Sequence, residues 1–74
     1  MENLKKIVAG VLAVDIDRLD YEFGRENSEE WDSFNHLLLI NEVEKELGIK
    51  FTMQEIEKIK TYKELYMLVI EKRK

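Results

Sequence analysis

The chain has 74 residues, a formal net charge of −4, no Cys, no Pro and three Gly. Without Cys it has no disulfide, thiolate metal site or cysteine nucleophile, and the lack of Pro, few Gly and abundant Leu, Ile, Glu and Lys argue against an all-β or collagen-like chain. The acidic balance argues against a nucleic-acid binder, which needs a basic face, while 45% hydrophobic residues is normal for a folded chain.

A length of 74 residues predicts a single domain, 1–74, with a small core that depends on well-packed regular structure. Asn3 is placed to cap a first helix, and Leu4, Ile7, Val8, Val11 and Leu12 follow the i, i+3, i+4, i+7, i+8 spacing of one helical face. Lys5 and Lys6 ahead of the apolar run Ile7 to Val14 mimic a secretory signal. The run is far too short to span a bilayer and its apolar residues form a helical stripe, so a cytoplasmic protein with no membrane association is expected.

The helical pattern fails at Asp15, and a long acidic connection runs to Asp32 with Ile16, Leu19, Tyr21, Phe23 and Trp31 interspersed. A connection of this length in a small domain is often functional, and its apolar residues predict that it packs over the helices. Asp15, Asp17 and Asp20 resemble a broken calcium loop, but the Gly and the terminal Glu are missing from their places. Solvated turn chemistry, with no metal site, is the expectation. Charge is uneven: residues 1–47 hold twelve acids against five bases, residues 48–74 four against seven. Most such runs are plain solvated surface; the functional reading is an anionic face that steers basic partners.

A second helix begins at Asp32 or Ser33, either of which can accept from an open first-turn amide. Leu39, Ile40, Val43 and Leu47 form its buried stripe, and Gly48 followed by Ile49 suits a left-handed ending. Two capping boxes follow. Thr52 to Glu55 opens a short third helix carrying Met53, Ile56 and Ile59, and Thr61 to Glu64 opens a fourth with Tyr62, Leu65, Tyr66 and Val69 on one side and Lys72, Arg73 and Lys74 at its end. The expected fold is all-α, a small four-helix bundle of three longer helices and one short one, with the long loop between helices one and two.

Catalytic groups are scarce. His36 lies three residues after Ser33, so the two could meet on one helical turn as a nucleophile and base. A core this small offers no sealed pocket, and a helix N-terminus makes a base less basic. His36 is therefore expected to be exposed or to face a partner. Ser33 has two readings. It is a simple helix cap, or it is a hydroxyl at a helix N-terminus, where a phosphate ester is favoured by the dipole and the open amides.

The run Trp31-Asp32-Ser33-Phe34-Asn35-His36 resembles the Asp-Ser-Leu attachment motif of acyl carrier proteins, with a preceding Trp like that of carriers outside the central fatty-acid pathway. Val43 to Ile49, Phe51 to Ile59 and Thr61 to Ile70 are similar to the end of that family's second helix and to its third and fourth helices, so the resemblance covers essentially the whole chain. It implies that a phosphopantetheinyl transferase with Mg²⁺ moves 4′-phosphopantetheine from coenzyme A onto Ser33. The arm's thiol would then carry acyl groups as thioesters between acyl-activating or acyl-transferring enzymes. The chain would be a monomeric carrier and no enzyme in itself. By the same resemblance Asp32 matches the motif acid, orienting the transferase encounter or helping to bind its metal. Phe34 stands where the family usually has Leu, as an apolar partner contact, and Glu42, Glu44 and Glu46 match acids of the recognition helix. Leu37 and Leu38 lie off the buried stripe, divided between partial burial and partner contact. Asn35 and Leu38 stand where fatty-acid carriers often have acids, and Lys45 reverses a sign, which implies a dedicated partner set.

Two alternatives stand beside this. The cargo could be aminoacyl or peptidyl, as in D-alanyl carriers, or the chain could be an unmodified helical adaptor whose Ser33 only caps a helix.

Overall fold

The structure, a computed structural model, describes residues 2–73 and shows the expected bundle: α1 (Glu2–Leu12), α2 (Ser33–Leu47), the short α3 (Met53–Lys58) and α4 (Tyr62–Lys72). α1 starts at Glu2, two residues earlier than a cap at Asn3 predicts, so Asn3 lies inside the helix and does not cap it. Leu4, wholly buried, anchors this first turn, and tertiary packing of an apolar face outweighs a local cap. Leu4, Val8 and Leu12 are buried, while Ile7 and Val11 are half-buried at the margin of the stripe. α1 lies against α2 and is followed by Ala13 in a left-handed conformation, φ 56°, with Val14 N–H donating to Ala9 O at 3.1 Å.

α2 ends as its sequence requires. Gly48 is left-handed (φ 66°, ψ 36°), and the amides of Gly48 and Ile49 both donate to Glu44 O, at 2.9 and 3.3 Å. Such double acceptance closes a helix only where the residue past its end can take positive φ. Leu39, Ile40 and Val43 are buried but Leu47, expected on the same stripe, is only half-buried.

Both capping boxes form. Thr52 Oγ1 accepts from Glu55 N while Glu55 Oε1 accepts from Thr52 N, and Thr61 and Glu64 repeat the arrangement. Met53, counted with the apolar residues of α3, is 73% exposed. It is the first residue of a six-residue helix, too short to turn both its first turn and Ile59 towards the core. Lys72 reaches from the end of α4 to Glu55 at 2.8 Å; Lys74 lies outside the described residues.

The acidic connection is the least regular part and one of the best anchored. Leu19, Phe23 and Trp31 are buried in the common core with Leu65 and Val69 of α4, and a 3₁₀ turn, Ile16–Arg18, interrupts it. Its middle is clipped to the α3–α4 junction: Tyr62 N donates to Phe23 O and Arg25 N to Lys60 O, both at 2.8 Å, and Gly24 forms an isolated antiparallel bridge with Thr61. A Cβ on Gly24 would fall 2.4 Å from Lys60 O, so the backbone approach itself requires glycine. Among the described residues no helix is long and apolar enough to cross a membrane.

Candidate functional site

The head of α2 is built from the segment that precedes it. Ser28 Oγ accepts from Trp31 N at 3.3 Å and donates to Glu30 Oε1 at 3.3 Å. Asn35 Nδ2 reaches back to Glu30 O at 2.8 Å. Arg18 grips Glu30 through two hydrogen bonds, 2.9 and 3.4 Å, and the bonded guanidinium holds the Glu30 carboxyl down at about 2. These contacts fix the last turn of the connection before the helix begins.

Between the two cap candidates the structure chooses Asp32. Its backbone is extended (φ −91°, ψ −178°), and its Oδ1 accepts from Asn35 N at 2.8 Å. Ser33 is therefore the first helical residue rather than the cap. It is exposed, and among the described residues its hydroxyl takes part in no hydrogen bond. The chain's other serine, Ser28, is half-buried with its oxygen committed twice. An exposed, uncommitted hydroxyl at the positive end of a fifteen-residue helix is chemically suited to carry an anionic ester.

His36 is not where it was expected. It is 4% exposed and turned away from solvent into a polar bridge. Trp31 Nε1–H donates to His36 Nδ1 at 3.0 Å. The remaining ring proton therefore sits on Nε2, which donates to Ile56 O at 2.8 Å. Burial, the largest influence, holds the ring below the usual histidine range; the bond to Ile56 O opposes this and the Arg25 charge adds to it. With both nitrogens engaged the ring offers no base to Ser33, and the hydrolytic Ser33–His36 pair is not assembled. The sequence missed this because a helical step of three residues admits either a shared face or a turn from surface to core, and Trp31 draws His36 inward.

Phe34 (71% exposed), Leu37 (57%) and Leu38 (43%) are exposed on the turns beside and after Ser33, Leu38 the most covered of the three. Glu42 and Glu44 are both half-buried and lie on opposite flanks of this exposed strip, as two residues apart on a 3.6-residue helix must. Glu42 borders a depression against α1 with Glu46 and Lys6, whereas Glu44 Oε2 accepts from Phe51 N at 2.8 Å. The carboxylates of Asp15 and Asp20 accept from Asp17 N and Glu22 N, and among the described residues no cluster of three or more His, Asp or Glu is placed to hold a metal ion.

One feature near Ser33 has no local sequence signal. An open depression of about 430 Å³ is lined by Arg25, Glu26, Trp31, Asp32, Ser33 and Lys60. Arg25 and Lys60 meet there only because the Arg25 N to Lys60 O bond joins segments distant in sequence.

No protein-family model matches the chain and no curated protein does. Among solved structures it is similar to a holo acyl carrier protein from Geobacter metallireducens, determined by solution NMR. The two share 32% identity and a TM-score of 0.86 over 97% of this chain and 83% of the other. Shared architecture along nearly the whole length, with Asp32 and Ser33 heading α2, makes the chain a member of the acyl carrier protein family.

Proposed function

We propose that residues 1–74 work as one monomeric, cytoplasmic carrier domain in which Ser33 Oγ is esterified by 4′-phosphopantetheine, delivered from coenzyme A by a phosphopantetheinyl transferase. The observation that carries this is the freedom of the Ser33 hydroxyl. Asp32 takes over the capping bond, which leaves Ser33 exposed and unbonded at the helix head. The residues fit such a group: an accessible oxygen for the ester link, with the positive end of α2 beside the phosphate. When bound, the group supplies a terminal thiol that holds an acyl chain as a thioester for transfer between enzymes.

The chain's own residues position and present rather than catalyse. Trp31 and His36 lock the connection to α2 and to the α3 backbone, keeping the head of the helix in one place. Phe34, Leu37 and Leu38 offer an apolar contact to visiting enzymes, and the acids of α2 steer basic partners towards it. Steering of this kind speeds encounter more than it tightens binding, which suits a shuttle that must leave. Because His36 is closed off, the base that accepts the Ser33 proton has to come from the transferase. The bulky Phe34 and the Lys45 charge favour a partner set other than fatty-acid synthase enzymes.

Incubation with coenzyme A, Mg²⁺ and a broad-specificity phosphopantetheinyl transferase, followed by intact mass measurement, tests the proposal. A single phosphopantetheine addition is expected on the wild type and none on Ser33→Ala. A wild-type protein that stays at its starting mass overturns it. Reversing Glu42 to Lys should then slow acyl loading and flatten its salt dependence without touching the Glu44 bond to Phe51.

A further inference from the structure

Arg25 and Lys60 share the depression that reaches Ser33, and neither forms an ion pair among the described residues. By contrast Arg18, in the same acidic connection, is held by Glu30. The backbone segments that carry the two residues are pinned to each other. The Arg25 amide donates to the Lys60 carbonyl at 2.8 Å, Tyr62 N donates to Phe23 O at 2.8 Å and Lys63 N to Tyr21 O at 3.2 Å. Gly24 supplies the only side-chain-free position in that crossing, where a Cβ would strike Lys60 O. Two acids also border the depression. Asp32 is committed to the Asn35 amide, which leaves Glu26 as the one carboxylate there not tied to the backbone by a hydrogen bond among the described residues.

We infer that Arg25 and Lys60 form a cationic clamp for the phosphate ester carried by Ser33, so that the group's first, anionic segment is held towards the α3–α4 junction. The inference rests on the reading of Ser33 as the esterified residue. The recognised chemistry is a phosphate ester, and it has two possible sources: the ester already attached to Ser33, or the phosphates of coenzyme A as the transferase delivers it. Guanidinium and ammonium groups both serve phosphate, the first through paired donors and the second as a point charge.

The test separates the clamp from the carrier function. Phosphoserine encoded at position 33 places a titrating phosphate on the same oxygen with no transferase involved. Its second ionisation lies near 6 and is read by ³¹P NMR at low salt. The helix contributes equally in every variant, so the difference between variants reports the cations. The wild-type background is expected to titrate about half a unit or more below the Arg25→Gln/Lys60→Gln background. Arg25→Lys/Lys60→Arg should keep most of the shift, and salt should shrink it. Equal titration midpoints in the wild-type and Gln backgrounds overturn the clamp, whatever the outcome of phosphopantetheinylation. A second arm assigns the source. If the clamp holds the attached ester, the ³¹P shift of the phosphopantetheinylated protein differs between wild type and the Gln variant while conversion rates stay within about twofold. A slowed conversion with identical ³¹P shifts places the clamp on coenzyme A instead and overturns its role in holding the attached arm.

Discussion

The two faces of α2 divide the labour of the molecule. One turn of helix separates Ser33, exposed and unbonded, from His36, buried with both ring nitrogens occupied. On the outer face Phe34, Leu37 and Leu38 stand in solvent; on the inner face Leu39, Ile40 and Val43 fill the core. Side chains that look equally reactive on paper have opposite fates. The hydroxyl is open to solvent and unbonded, and the imidazole is a structural strut that ties the connection to α2 and α3. On the proposed reading reactivity is borrowed, and the fold's work is to hold one oxygen still and in the open.

The sharpest way to break this contrast is Ser33→Ala. Modification should be lost altogether, while stability changes by no more than about 0.5 kcal/mol, as for an exposed side chain without partners; intact mass and a urea melt together check both halves. His36→Ala should do the reverse. It strands the Trp31 indole N–H and the Ile56 carbonyl in the interior, at a cost of about 2–4 kcal/mol, so the urea midpoint falls although the hydroxyl is untouched. If His36→Ala melts like the wild type, the strut reading fails.

Gly24→Ala probes the clip between the connection and the α3–α4 junction. The added carbon meets the Lys60 carbonyl, and overpacking against backbone should cost about 1–3 kcal/mol, measured by thermal or urea unfolding. A stability equal to wild type would mean that the crossing is looser than described.

A pH titration of stability separates the faces more gently. His36 is held below its usual range by burial, so in the unfolded chain it binds a proton, near pH 6.5, that the folded chain refuses. Its contribution is fully present above about pH 6.5 and is lost as pH falls through the depressed folded value. Stability should therefore decline from pH 7 towards 5, and His36→Gln should flatten that decline. The lowered carboxyls of Glu30 and Glu55 act in the same direction but in the acid range below the ordinary glutamate value, outside this window. The smallest effect is expected at the far end of the bundle: Ala13→Gly relieves a left-handed alanine and should raise stability by about 0.5–1 kcal/mol, with modification unchanged.

Much of this was written locally in the chain. The Thr52 and Thr61 capping boxes, the Gly48 ending and the period of the α1 apolar residues each depend on neighbours within a turn, and each formed. The position of Ser33 was legible to within one residue, because Asp32 and Ser33 are both competent caps and only their backbone angles decide between them. What the local pattern did not carry depended on distant partners. The burial of His36 follows from Trp31 and from the Ile56 carbonyl twenty residues on. The exposure of Met53 follows from how briefly α3 runs before the chain turns. The meeting of Arg25 with Lys60 follows from a backbone crossing that only Gly24 permits. No periodicity encodes such contacts.

One hydroxyl is presented and its only serine counterpart is withheld. Fragment mass mapping of the transferase-treated protein tests it directly. Phosphopantetheine found on the peptide containing Ser33, with Ser28 unmodified, is the predicted result; an adduct on Ser28 or on a threonine, or no adduct on the chain at all, would contradict it.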